Sequence, residues 1–150
     1  MSDPRELYQQ VILEHNKKPR NFGKLDPCSH HAHGLNPLCG DDIEVTLDVD
    51  DKGKIININF QGHGCAISKA SSSLMTINVK GKSVETAEIM AEQFRKMIRG
   101  DLNPASDQNI LGKLSMFIGV KDLPSRVKCA VLPWATLQSA LKGEAITSTE

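Results

Sequence analysis

Between Ile43 and Phe60 lie two runs in which apolar and polar residues alternate. Ile43, Val45, Leu47 and Val49 alternate with Glu44, Thr46 and Asp48. After the DDKG segment at 50–53, Ile56, Ile58 and Phe60 alternate with Asn57 and Asn59. A period of two marks a half-buried strand, and two such runs joined by a polar, glycine-ended turn predict an antiparallel hairpin. Past Cys65 the period becomes helical. Residues 66–80 fit a helix closed by Gly81, although its serine run is a poor helix former. The segment 83–100 is the clearest helix: Ser83 caps it, Ala87, Met90, Ala91, Phe94, Met97 and Ile98 share one face, and Gly100 stops it.

The remaining segments complete the pattern. Asp3 as N-cap and Pro4 in the first turn open a helix with Leu7, Tyr8, Val11, Ile12 and His15 at helical spacing, ending before Pro19. Residues 20–38 read as loop with room for one short strand. Residues 109–118 predict a short apolar helix. A final helix spans about 125–142, where Pro133 predicts a kink or break because it cannot donate to the carbonyl of Cys129. Residues 145–150 read as a frayed tail. A hairpin followed by helices predicts an α+β fold, a small antiparallel sheet of about three strands packed against several helices. At 150 residues the expectation is one domain, 1–150.

Composition excludes some functions. Lys plus Arg and Asp plus Glu are both 18, so there is no basic surplus for nucleic-acid binding by bulk charge. No apolar run reaches membrane-spanning length, and MSDPREL lacks a signal-peptide core, so no membrane partner and a cytoplasmic location are expected. In a reducing compartment, Cys28, Cys39, Cys65 and Cys129 point to metal binding or thiol chemistry rather than disulfides. Their spacing contains no CxxC pair, so metal binding is weakly indicated by spacing alone, and a buried free thiol is the ordinary alternative.

Three of the cysteines sit at junctions. Cys39 lies in NPLCGDD before the hairpin, beside Asp41 and Asp42. Cys65 lies in GHGCAIS at a helix start, where free N–H groups and the positive dipole end suit an anionic sulfur. Cys129 opens the last helix with Arg126 and Lys128 close by.

NPLCGDDI, GHGCAIS and LPSRVKCAVLPW resemble, in order, the three cysteine motifs of the NifU-like family of iron–sulfur cluster assembly proteins, and EHNKKPRNFG resembles its N-terminal signature. The resemblance covers roughly residues 4–142. Within the family the chain is most similar to the SufU branch: the stretch between Cys65 and Cys129 accommodates that branch's extra segment. Lys128 also stands where IscU-type scaffolds have a histidine. This resemblance implies one zinc ion on Cys39, Asp41, Cys65 and Cys129, with Arg126 beside the site offsetting its negative charge. It also implies sulfur acceptance from a pyridoxal-phosphate-dependent cysteine desulfurase and delivery to a downstream iron–sulfur scaffold or apo-proteins. Cys39 is the expected nucleophile, since Gly40 makes its loop the most mobile of the three. Sulfurtransferase-like shuttling with the desulfurase is expected, without independent small-molecule turnover.

The alternative is a scaffold that assembles a [2Fe–2S] cluster, or holds iron, on the same ligands; the missing histidine counts against it. A structural zinc adaptor is a third reading. A cysteine hydrolase is a poor fourth, because all five histidines lie between positions 15 and 63 with no motif to orient one. Other residues take plainer roles. Cys28 has no family counterpart, His30, His31 and His33 read as a solvated loop cluster, His63 as a group behind the ligands, and Asp42 as a strand-edge charge. Lys17, Lys18 and Arg20 read as a solvated helix end that could dock a partner.

Overall fold

A computed structural model describes residues 4–148. The elements run α1 (Pro4–Lys17), β1 (His30–Asn36), β2 (Asp41–Val49), β3 (Ile55–His63), α2 (Ala66–Val79), α3 (Val84–Arg99), a 3₁₀ helix (Gly112–Asp122), α4 (Pro124–Leu141) and β4 (Ile146–Ser148). The proposed cap Asp3 lies outside the described residues. The hairpin is present as β2 and β3, antiparallel, with Val45 opposite Phe60 and Leu47 opposite Ile58. Their inward side chains, with those of the helices, form the core.

Among the described residues the sheet has four strands in the order β3–β2–β1–β4, and it is mixed rather than wholly antiparallel. β1 pairs antiparallel with β2, and β4 pairs parallel with β1. Residues Ile146–Ser148 are therefore a strand where a frayed tail was expected. The C-terminal end of α4 turns the chain back along β1, and the first bond of the new pairing runs from the His33 N–H to the Ala145 carbonyl at 2.8 Å. β1 itself has few good strand formers. Its inward residues are Ala32, Gly34 and Asn36, and smallness is what the position demands. A Cβ at Gly34 would lie 1.9 Å from Thr136 Oγ1 and 3.1 Å from Leu132 Cδ1, because α4 packs directly on the β1 backbone there.

α3 matches its sequence reading at both ends: the Ser83 side chain accepts from the Thr86 N–H, and Gly100 closes the helix at φ 86°. The short apolar helix expected at 109–118 is instead 3₁₀ and extends to Asp122. Its buried residues, with Leu111 before them, explain this. Leu111, Leu114, Phe117 and Val120 recur every three residues, the period of a 3₁₀ turn. α4 shows no break at Pro133. A proline inside a helix costs about 3 kcal/mol locally. Packing on three sides outweighs that cost: β1 at Gly34, the Ser71 hydroxyl donating to the Ala130 carbonyl at 2.7 Å, and the Trp134 ring stacked on Phe94 at 4.9 Å.

Candidate metal centre

The centre forms where β1 turns into β2 and where α2 and α4 begin. Asn36 and Pro37 start a tight turn in which the Cys39 N–H returns to the Asn36 carbonyl at 3.2 Å. Gly40, left-handed at φ 72°, then directs the chain into β2. The result is an exposed thiol on a turn and a buried carboxylate, Asp41, two residues later. Cys65 caps α2: its sulfur accepts from the Ser68 N–H at 3.4 Å. Cys129 lies in the second turn of α4 and is fully buried.

One ligand atom each from Cys39, Asp41 and Cys129 fall within 4.8 Å of one another. The Cys39 and Cys129 thiols both donate to the Ser125 carbonyl, at 3.8 and 3.9 Å, which fastens the Cys39 turn to the start of α4. Cys65 borders this trio: its backbone N–H donates to Asp41 Oδ1 at 2.8 Å, and its sulfur neighbours that of Cys129. Burial pushes the Cys129 thiol far up, with Asp41 and then Cys65 adding to the effect. A buried sulfur surrounded by other acidic groups gives up its proton when a cation takes its place, so this donor set fits a metal ion. Three sulfurs and one carboxylate oxygen suit a four-coordinate, thiophilic ion. Arg126 is exposed at the start of α4, where the neighbouring sulfurs, Cys129 first and then Cys65, raise its guanidinium pKa further. It supplies positive charge beside a cluster of anionic donors.

The other candidate residues lie elsewhere. Cys28 is half-buried before the opposite end of β1, a strand whose length is about 20 Å. Burial, then Asp48 and Asp26, raise its thiol. His33 Nε2 sits 2.7 Å from Asp42 Oδ1 on the outer face of the sheet, which gives Asp42 a partner away from the centre. His30 meets Ser29 Oγ at 2.9 Å, His31 is exposed on β1, and His63 is exposed at the end of β3. Lys17 and Lys18 are exposed, while Arg20 pairs with Glu14 at 3.1 Å.

Sequence reasoning missed the residues that hold Asp41. Its Oδ2 accepts from Asn36 Nδ2 at 2.9 Å, and its Oδ1 accepts from Ser68 Oγ at 3.3 Å as well as from Cys65. Gly64 leaves the room, since a Cβ there would lie 2.6 Å from Asp41 Oδ1. An asparagine preceding proline at a turn and a serine three residues after a capping cysteine were the available signals.

Known proteins resemble this chain over most of its length. The chain is 42% identical over 145 residues to the iron–sulfur cluster assembly scaffold protein IscU of Streptococcus pyogenes, covering 97% of this chain and 89% of that one. It is 42% identical over 139 residues to the zinc-dependent sulfurtransferase SufU of Bacillus subtilis, covering 92% and 91%. A crystal structure from Fervidobacterium islandicum, described as a cluster assembly scaffold for the SUF system, superposes with a TM-score of 0.83 at 36% identity, over 91% of this chain and 98% of that one. The profile of the NifU-like N-terminal domain matches residues 7–130, and the chain belongs to that family.

Proposed function

We propose that this protein takes part in iron–sulfur cluster assembly as a zinc-dependent sulfur acceptor for a pyridoxal-phosphate-dependent cysteine desulfurase. The observation that carries the reading is the unequal exposure of the donors: Cys39 is exposed on a turn, while Asp41 and Cys129 beside it are buried. A site meant only to hold a metal has no need to expose one sulfur. A site that must present one sulfur to a partner does. The likeness to the SufU of Bacillus subtilis, named as a zinc-dependent sulfurtransferase, supports the same choice.

Cys39, Asp41, Cys65 and Cys129 would hold the zinc ion. When bound, zinc supplies a positive charge that keeps the cysteines deprotonated near neutral pH. The transfer itself belongs to Cys39. Its thiolate attacks the outer sulfur of the desulfurase persulfide, and a new S–S bond forms as the old one breaks. The electron pair leaves on the desulfurase cysteine, and Cys39 carries the persulfide. Arg126 acts beside Cys39, where its cation offsets the negative charge gathered during exchange. Cys65 and Cys129, fixed at helix starts, stay as anchors. The loaded sulfur then passes to a downstream scaffold or to apo-proteins.

A second reading, a scaffold for a [2Fe–2S] cluster on the same residues, is favoured by the likeness to the Streptococcus pyogenes IscU, which is as high and spans 97% of this chain. Metal analysis of protein purified without chelators separates the two. One zinc per chain in colourless protein that stimulates cysteine desulfurase turnover is the expected result. Brown protein carrying iron and labile sulfide would replace the shuttle with the scaffold.

A further inference from the structure

Among the described residues Asp41 is the one oxygen donor of the centre, and three other groups hold its carboxylate. The Cys65 N–H and the Ser68 hydroxyl hold Oδ1, and Asn36 holds Oδ2. Asn36 is buried, 1% exposed, and its amide nitrogen has two hydrogens. One points to Asp41 Oδ2 at 2.9 Å and the other to Cys129 Sγ at 3.5 Å. Both of those atoms are acceptors when ionised, so the amide must present its nitrogen to them. The same residue's backbone carbonyl closes the turn that carries Cys39, at 3.2 Å. Asn36 is thus joined to three of the four donor-bearing residues.

We propose that Asn36 is a positioning residue that clamps Asp41 and Cys129 together as one bite for the metal, so that both stay in place when Cys39 is presented to a partner. The inference rests on the metal-binding reading above. The chemistry follows from the charges. Three thiolates and a carboxylate crowd four negative charges around one divalent ion, and they repel one another. An amide that donates to two of them at once spreads that charge without adding a ligand, and it fixes the carboxylate's rotation. Gly64 completes the clamp from the opposite side: a Cβ there would meet Asp41 Oδ1 at 2.6 Å and Ser68 Oγ at 2.4 Å, and would push the carboxylate off its seat. Groups that orient a metal ligand in this way are typically worth about 10- to 100-fold in metal affinity.

The test is a cycle of wild type, Asn36→Ala, Asp41→Ala and the double variant, with zinc affinity measured by competition against a chelating dye. Asn36→Ala keeps the backbone turn, and Asn36→Ser serves as a second variant, because serine also suits that turn position but cannot span both acceptors. Each is expected to weaken zinc binding by about 10- to 100-fold. In the Asp41→Ala background the same change is expected to cost less than about threefold, because its main target is gone. Cobalt-loaded Asn36→Ala should retain its sulfur-to-cobalt charge-transfer intensity while its ligand-field bands shift. A fault of folding would lower both. Wild type that binds zinc while Asn36→Ala and Asn36→Ser bind it equally well overturns the clamp alone, as do full, multiplying losses in the double variant. Wild type that binds neither zinc nor cobalt overturns the metal reading and the clamp with it.

Discussion

In α3 the signals of sequence and packing coincide. Its cap residue, its apolar face and its terminal glycine were all placed by periodicity, and each has the expected partner. α2 is built on the opposite plan. Its buried face includes Ser68, Ser71, Ser72, Ser73 and Thr76, residues that on their own favour caps and turns. Each hydroxyl has a partner. Ser68 reaches Asp41, Ser71 the Ala130 carbonyl, and Ser72 and Thr76 reach back to carbonyls of their own helix. Ser73 Oγ meets His15 Nδ1 at 2.7 Å and accepts the Arg20 N–H at 2.8 Å. The difference separates two tasks. α3 contributes area removed from water, which is tolerant of detail. α2 contributes direction, aligning α1 and α4 so that the cysteine centre closes.

That division can be attacked from the core side first. Phe94 is fully buried between Trp134 and Phe117, with ring centroids at 4.9 and 5.5 Å. Phe94→Ala is expected to cost about 3–5 kcal/mol in urea unfolding. Metal content per folded chain should not change, because no centre residue is touched. Loss of metal at full folding would show that the two regions are not separable.

Removing the metal probes the other side. Zinc bound at 100 times its dissociation constant adds about 2.7 kcal/mol of stability. The chelated protein is therefore expected to melt lower, with the drop scaling with free zinc in calorimetry. Equal melting of both forms would make the centre energetically peripheral.

A smaller effect concerns the His15 contact. Burial, and then the Arg20 cation, lower the His15 pKa from 6.5. Because the Ser73 oxygen accepts from Arg20, its hydroxyl hydrogen is free to meet a neutral Nδ1. The folded state thus takes up a proton less readily than the unfolded one. Stability is fully present above about pH 6.5 and declines as pH falls through the lowered folded pKa. His15→Gln should flatten melting temperature between pH 7 and pH 5. An unchanged slope would remove His15 from the pH response.

The smallest effect belongs to Cys28. Cys28→Ser should change stability by no more than about 0.5 kcal/mol and keep both zinc and sulfur acceptance. Its rival role, replacing Asp41 as a ligand, would appear as strong zinc loss in Cys28→Ser with Asp41→Ala nearly intact.

What was legible follows the same division. The hairpin and α3 could be read because apolar periodicity states which face is buried, except at the start of β3, where Ile55 rather than Ile56 is buried beside the register shift at Asp48 and Val49. β1 was hard to see because HHAHGLN buries only Ala32, Gly34 and Asn36, and their smallness answers to α4 rather than to strand propensity. β4 has three residues, too few for a period, and is defined by β1 beside it. Pro133 signalled a kink or a break, and α4 runs through it without a break. At the centre, the three cysteine motifs were legible through family resemblance. Asn36, Ser68 and Gly64 were not, since their roles depend on which oxygen of Asp41 comes within reach across the fold.

In the proposed function the exposed Cys39 receives the sulfur while Asp41, Cys65 and Cys129 keep the metal. Intact zinc-loaded protein, incubated with the desulfurase and cysteine and then alkylated and mapped by mass spectrometry, tests it directly. One extra sulfur on Cys39 in the wild type is expected, and none on the Cys39→Ser protein, because a hydroxyl at neutral pH forms no persulfide. A persulfide forming at the wild-type rate on Cys65, Cys129 or Cys28 of the Cys39→Ser protein would overturn it.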